Sequence, residues 1–222
     1  MSYLFLWIAL IIATIDWLAV AKDWQRVEYL AKPAVIVALL VWLGANDGFS
    51  GWMIWFGIGL LFSLIGDIWL MLPGGFFRAG LYSFMLTNIA YIIGFNPTLP
   101  PVNIASLALA ALVGITTAQI YNKVNAGVSR KGQENLRVAV LLYTVVLCLM
   151  LLSALQTLVR PSWDALSAIS VSIGALLFFI SDSLISWNKF VNVIPNGRFY
   201  IIITYHLSQF SIIVGAGLHY LS

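Results

Sequence analysis

The feature that most constrains this chain is a succession of eight apolar stretches, each closed by a turn signal. They are Tyr3–Ala21, Leu30–Leu43, Trp52–Leu72, Phe77–Phe95, Val102–Tyr121, Arg137–Leu158, Ala165–Trp187 and Phe199–Tyr220. A helix that crosses a bilayer needs about 20 mostly apolar residues. The second stretch is short and is expected to extend at its start. The breaks carry the residues that favour turns, such as Asn46-Asp47-Gly48, Pro73-Gly74-Gly75, Asn96-Pro97 and Pro195-Asn196-Gly197. Residues 122–133 read as the one substantial polar loop. Only 9% of the residues are charged and 62% are hydrophobic, against about 25% charged in an ordinary globular domain. A soluble fold of this length has nowhere to bury so much apolar surface. The expected class is therefore an all-α, polytopic membrane protein of eight transmembrane helices, forming one integral-membrane domain over 1–222.

The basic residues test this spacing independently. If the stretches alternate in direction, the odd-numbered connections and their flanks hold Lys22, Arg26, Lys32, Arg78, Lys123, Arg130, Lys131, Arg137, Lys189 and Arg198. The opposite side holds only Arg160. Lys and Arg accumulate on the cytoplasmic side, so both termini are expected outside. The N-terminus has no basic n-region and no small-residue cleavage signal, and it reads as a retained helix. The single Cys148 excludes a disulfide framework.

Asp16, Asp67 and Asp182 lie inside apolar stretches, where an Asp at the helix centre costs roughly 2.5–3.5 kcal/mol on insertion scales. All three come late in odd-numbered stretches and so share one level, nearer the cytoplasmic side. Gly59, Gly66 and Asp67 correspond to Gly174, Ser181 and Asp182 at a spacing of 115. That match suggests a parallel four-plus-four duplication. Small residues on the same helical face mark close helix contact, so Asp67, following Ser63 and Gly59, and Asp182, following Phe178 and Gly174, should both point into the bundle. The bland alternative for a single buried Asp is a structural carboxylate paired with Lys32. Two at matched positions favour chemistry.

Further polar residues gather on even-numbered stretches: Ser83, Thr87, Asn88 and Tyr91 on the fourth, Tyr143 on the sixth, Tyr205, His206 and Gln209 on the eighth. Interhelical hydrogen bonding accounts for any one of them, and His206 alone reads as a satisfied core histidine. As a set they outline a polar cavity around the two Asp residues, with Asp16, Ser63, Ser181, Tyr143 and His206 in support. There is no nucleophile elbow and no P-loop. Two His and one Cys cannot build a His₃ or Cys/His zinc site. Neither a metal nor an organic cofactor is expected, nor a nucleic-acid partner. What remains is carboxylate and water chemistry: proton donation, proton abstraction and stabilisation of positive charge.

The motifs Ser63, Gly66, Asp67 and Leu70, then Phe77, Arg78, Gly80 and Leu81, then Phe84, Asn88 and Tyr91, and later Ser181, Asp182, Leu184, Lys189, Phe190, Tyr205 and Gln209, with Lys32-Pro33 upstream, resemble the YhhN family of bacterial membrane proteins. They also resemble the animal transmembrane protein 86 family, the lysoplasmalogenases. The resemblance spans nearly the whole chain. It implies eight transmembrane helices and a hydrolase that cleaves the vinyl ether bond of lysoplasmalogen, releasing a fatty aldehyde and glycerophosphoethanolamine or glycerophosphocholine. The family's two Asp positions fall on Asp67 and Asp182 and its Lys on Lys32. Asn88 stands where the family commonly has His, which puts a proton relay at that position in doubt.

Vinyl ether hydrolysis needs one protonated carboxyl to give its proton to the β-carbon and one carboxylate to stabilise the oxocarbenium ion and activate water, as paired carboxylates do in glycosidases. Two neighbouring carboxyls in apolar surroundings do not readily both ionise. The sequence does not say which Asp is the acid. Lys32, Arg78 and Lys189 are placed to hold the substrate phosphate, with Asn88, Tyr91, Tyr205 and Gln209 lining the site and the lipid tail against Trp69 and Phe84. The partners expected are a lysophospholipid, water and the bilayer, in a bacterial plasma membrane. The competing readings are a proton-coupled transporter, which needs a path to both faces, and a non-catalytic lipid-binding protein.

Overall fold

The computed structural model describes residues 3–221. Met1 and Ser2, part of the N-terminus expected to be retained, lie outside the described residues, as does Ser222. The described residues form eight α-helices: α1 Leu4–Ala21, α2 Gln25–Gly44, α3 Ile54–Met71, α4 Phe77–Phe95, α5 Ile104–Arg130, α6 Arg137–Leu155, α7 Ala165–Ser186 and α8 Gly197–Tyr220. No strand occurs among the described residues. Among the described residues seven helices are long and apolar enough to cross a membrane, and the protein is a multi-pass membrane protein. The helix outside that group is α4, whose 19 residues carry Arg78 and the polar set Ser83, Thr87, Asn88 and Tyr91. All four of those polar residues are buried.

Glycine lets α3 and α4 approach along their whole length. Phe56 meets Gly94, Tyr91 meets Gly59, Phe84 meets Gly66 and Leu70 meets Gly80, and midway Ser63 and Thr87 share a hydrogen bond of 3.1 Å. A Cβ at Gly59 would lie 2.2 Å from the Tyr91 ring, so the ring occupies the space that glycine leaves. α7 and α8 pair the same way. Gly174 faces the backbone of Ser208 and Ile212, and Gly215 faces Ser170 and Val171. Near the other end Ser181 donates to the Ile201 carbonyl at 3.1 Å. Without a hydrophobic drive between helices in lipid, such close backbone packing is what holds them together.

One stretch departs from the sequence reading. The expected polar loop over 122–133 is helical as far as Arg130, because Val124, Gly127 and Val128 form a buried face against Phe190, Leu136 and Val140. Its polar residues cover the opposite, solvated side. At 27 residues and 1.5 Å per residue, α5 is longer than the hydrocarbon layer of about 30 Å is thick. α2 starts at Gln25, the extension expected of the second stretch, and Pro33 lies inside the helix.

The two ends of the bundle differ. At one end Arg160 is buried, donating to the Phe95 carbonyl at 3.1 Å and to Asn96 Oδ1 at 2.5 Å. It thereby satisfies acceptors at the C-terminus of α4. Trp163 stacks on His219 beside it, with ring centroids 3.9 Å apart, and Tyr220 donates to the Gly94 carbonyl at 2.8 Å. Nearby, Asp164 caps α7, and hydrogen bonding by Ser167 holds its carboxyl below the usual carboxylate range. The opposite end, where α2 and α8 begin and α3 and α7 finish, carries the polar cavities.

Candidate active site

Asp67 is wholly buried on the α3 face that also carries Ser63 and Gly59, one helical turn apart each. Two other helices supply its partners. Lys32 of α2 places Nζ 3.0 Å from Oδ1, and Tyr205 of α8 donates to Oδ2 at 2.7 Å. The polar chain continues deeper. Gln209 donates to Ser63 at 2.9 Å, and Tyr91 donates to the Gln209 carbonyl at 2.6 Å. Thr87 donates to the Gly59 carbonyl at 3.1 Å. Every one of these side chains except Lys32 is buried, and each hydrogen bond there replaces one that water would otherwise make.

Asp182 of α7 is also buried, but its surroundings are different. Tyr143 of α6 donates to Oδ2. Among the described residues, no Lys, Arg or His lies within ion-pair distance of its carboxyl. It borders two narrow clefts, one toward α4 and one toward α5 and α6. Asn88 turns its amide to the Phe84 carbonyl at 2.9 Å, and its own carbonyl oxygen has no hydrogen-bond partner.

Phe84 stands between the two networks, edge-on to Tyr205 at 5.8 Å on the Asp67 side and lining a cleft with Asp182 on the other. Leu70 and Ile185 are a second point of contact. They border that cleft and also a larger cavity of about 300 Å³ between α2, α3, α7 and α8, at whose inner side lies Lys32. Lys32, which lines this cavity, is the residue that pairs with the buried Asp67.

Other residues expected at the site sit elsewhere. Arg78 donates to the Asn135 carbonyl at 3.0 Å, at the α5–α6 connection. Lys189 rests over the Phe77 ring at 4.3 Å. Neither lines the cavity above Lys32. Lys32 is itself engaged with Asp67. Trp69 packs on Phe76. Ser181 serves the α7–α8 contact. Asp16 lies 3.9 Å from His206, both fully buried, and neither the Asp16 oxygens nor the His206 nitrogens have a hydrogen-bond partner. His206 is therefore not the satisfied core histidine that the sequence suggests.

Two charged residues that the sequence reading did not single out line the cavity: Glu28 of α2 and Arg198 of α8. A signal was present. Gln25, Glu28, Tyr29 and Lys32 fall on one helical face once the helix begins at Gln25.

The YhhN family model matches residues 27–216 of this chain. The mouse protein named lysoplasmalogenase TMEM86B is 25% identical over 202 residues, covering 90% of this chain and 79% of its own. The human protein named lysoplasmalogenase TMEM86A is 32% identical over 165 residues, covering 72% of this chain and 63% of its own. A Dictyostelium discoideum protein named lysoplasmalogenase homolog is 31% identical over 161 residues, 64% of this chain and 52% of its own. No solved structure gives a significant match.

Proposed function

The chain belongs to the YhhN family, and from that premise we propose that it is a membrane hydrolase that cleaves the vinyl ether bond of lysoplasmalogen with Asp67 and Asp182. The observation that carries this reading is the cavity lined by Lys32, the partner of Asp67, whose walls Leu70 and Ile185 also border the Asp182 cleft. A headgroup in the cavity would bring the ether past Lys32 to the two walls, with an acid on either side and the tail running toward Phe84.

The partners divide the labour. Asp67 has a counter-ion and serves as the carboxylate. A negative charge on Asp182 would lack one in apolar surroundings, so Asp182 holds the proton. In the first step Asp182 gives that proton to the β-carbon, and the ether oxygen's lone pair forms the oxocarbenium ion. Asp67 stabilises this cation and takes a proton from the attacking water, giving a hemiacetal. On collapse, the hemiacetal hydroxyl returns its proton to Asp182 while Asp67 protonates the leaving glycerol oxygen. The products are the aldehyde and the glycerophospho-alcohol, and both carboxyls end as they began.

The same reading extends to topology. α4 packs antiparallel on α3 from end to end, which supports eight crossings. The positive-inside asymmetry supports both termini outside, with the polar cavities facing the cytoplasm, in a bacterial plasma membrane. The duplication gains support from the partner helices: α2 and α8 serve Asp67, as their counterparts α6 and α4 border Asp182. The end closed by Arg160, Trp163 and His219 argues against a transport path. The test is aldehyde release from lysoplasmalogen by the purified protein in detergent, together with solute flux in liposomes. Flux without aldehyde release from the folded protein would refute the enzyme reading.

A further inference from the structure

The cavity above Lys32 has a charge pattern that the chemistry at the two Asp residues does not require. Arg198 sits in the first turn of α8 and is held from two sides. Its Nη2 lies 2.5 Å from Glu28 Oε2 and its Nη1 3.3 Å from Asp23 Oδ1. Asp23 faces a second cavity, toward the α7–α8 connection. Glu28 faces the one that leads to Lys32. The Glu28–Arg198 pair therefore spans the mouth of the cavity between α2 and α8. On the α3 side, Tyr29 donates to the Met71 carbonyl at 2.9 Å. Its volume of about 300 Å³ falls at the lower end of small-molecule pockets, which suits a headgroup and glycerol without the chain.

We propose that Glu28 and Arg198 read a zwitterionic phospho-amine headgroup, Arg198 taking the phosphate and Glu28 the ammonium, and that their mutual ion pair is what the headgroup replaces on binding. The proposal rests on the lysolipid reading above and names the groups that recognise the substrate's polar end.

The argument is one of charge conservation. Lys32 is already neutralised by Asp67 at 3.0 Å, so it adds little net charge to the mouth. What remains is one guanidinium and two carboxylates. A ligand with only a negative charge would take Arg198 and leave Glu28 facing an anion with no cation of its own. Such stranded charges are what separates a good partner from a poor one. A ligand with only a positive charge would strand Arg198 in part. A zwitterion exchanges one ion pair for two. Its phosphate accepts the forked N–H donors of Arg198, and its ammonium replaces the guanidinium beside Glu28. Glu28 is suited to this exchange, since its side chain is only 19% exposed and its carboxylate is aimed across the cavity. Lys32, Glu28 and Gln25 recur at helical spacing along α2, so headgroup, glycerol and ether line up on one wall, with the ether nearest Asp67.

The test is binding and not turnover. Saturated 1-O-alkyl lysophospholipids lack the vinyl group and are not substrates for this chemistry. Their dissociation constants for the full-length protein in detergent are measured by calorimetry for ethanolamine, glycerol and bare phosphate headgroups and for 1-O-alkylglycerol, which has no phosphate. The wild type is expected to bind the ethanolamine lipid at least tenfold more tightly than the two anionic ones. Glu28→Gln should collapse that ratio, and Arg198→Gln should bring all phospholipids toward the alkylglycerol. Equal wild-type affinity for zwitterionic and anionic lipids overturns the proposal without any variant being needed. An unchanged ratio in folded Glu28→Gln overturns it as well. Aldehyde release from lysoplasmalogen, assayed separately on the same preparation, reports on the hydrolase reading independently.

Discussion

Asp67 and Asp182 occupy matched sequence settings, on α3 and α7, and matched packing. Each has a glycine two turns before it, Gly59 or Gly174, against which a neighbouring helix lies closely, and each accepts a hydrogen bond from a tyrosine on another helix. They differ in their counter-ion and in their access. Asp67 has Lys32 and adjoins a cavity open at one end of the bundle, whereas Asp182 has only a phenol and two narrow clefts. A repeated backbone pattern thus reproduces packing without reproducing electrostatics. Charge is set by the helices that pack against α3 and α7. Two like acids become two unlike ones, which is what an acid and a base acting on one bond require.

The sharpest way to break this comparison is to neutralise each acid in turn. Asp67→Asn and Asp182→Asn are each expected to lower aldehyde release by about 10²–10⁴-fold, the range for losing an acid or base. Their stabilities should separate. Asp182→Asn replaces a neutral acid by a neutral isostere and should leave the melting temperature in detergent nearly unchanged. Asp67→Asn leaves Lys32 without its partner and should lower it. Equal losses of stability in both would show that the two acids carry the same charge.

Lys32→Met probes the same asymmetry from the other side. It leaves Asp67 ionised and buried, and breaking a buried pair costs about 3–5 kcal/mol. The double variant Lys32→Met/Asp67→Asn should recover most of that stability in denaturant titrations while remaining inactive. A double variant no more stable than Lys32→Met would mean that the pair is not electrostatically coupled.

A smaller effect distinguishes the tyrosines. Tyr143→Phe removes a hydrogen bond donated to the Asp182 carboxyl, which becomes charged only as it gives up its proton in the rate-determining step. A bond to a charged group is worth about 1.5–3 kcal/mol, so the rate should fall roughly ten- to a hundredfold. Tyr205→Phe removes one of two partners of Asp67, and Lys32 remains, so its loss should be smaller. The order of the two rate constants is the measurement, and a reversed order would assign Asp67 the more delicate role.

Much of this arrangement was legible in the sequence. Long apolar stretches, turn residues and the one-sided distribution of Lys and Arg mark out the helices, and an Asp inside an apolar stretch with a glycine two turns before it marks a buried carboxylate. Two features were not legible. The first is helix extent at the polar end. Gln25–Glu28 and the residues after Tyr121 look like loop by composition, yet Glu28 faces a cavity and Val124 and Val128 face a core. The second is the identity of partners across the bundle. Tyr205 reaches Asp67 over 138 positions and Tyr143 reaches Asp182 over 39, contacts that depend on how helices pack and not on local spacing. Arg198 was counted among the cytoplasmic-side charges for the same reason, although it crosses to α2.

The least of the expected effects concerns packing, and it asks whether the two halves are alike even there. A Cβ at Gly59 would meet the Tyr91 side chain, while one at Gly174 would lie 2.7 Å from the backbone nitrogen of Ile212. Both Gly→Ala substitutions should destabilise, by about 1–3 kcal/mol, as overpacking does. Their remedies should differ. Shortening Tyr91 removes the obstacle to Gly59→Ala, so Gly59→Ala/Tyr91→Ala should be more stable than the sum of its parts by about 0.5–3 kcal/mol, the usual coupling of contacting residues. Shortening Ile212 clears its side chain from Gly174→Ala but leaves the backbone in place, so that coupling should be weaker. Thermal or denaturant unfolding of the two double-mutant cycles measures both numbers. Equal couplings would mean that α8 moves aside as readily as a tyrosine ring, and that α7 and α8 are held less rigidly than the contacts of Gly174 and Gly215 imply.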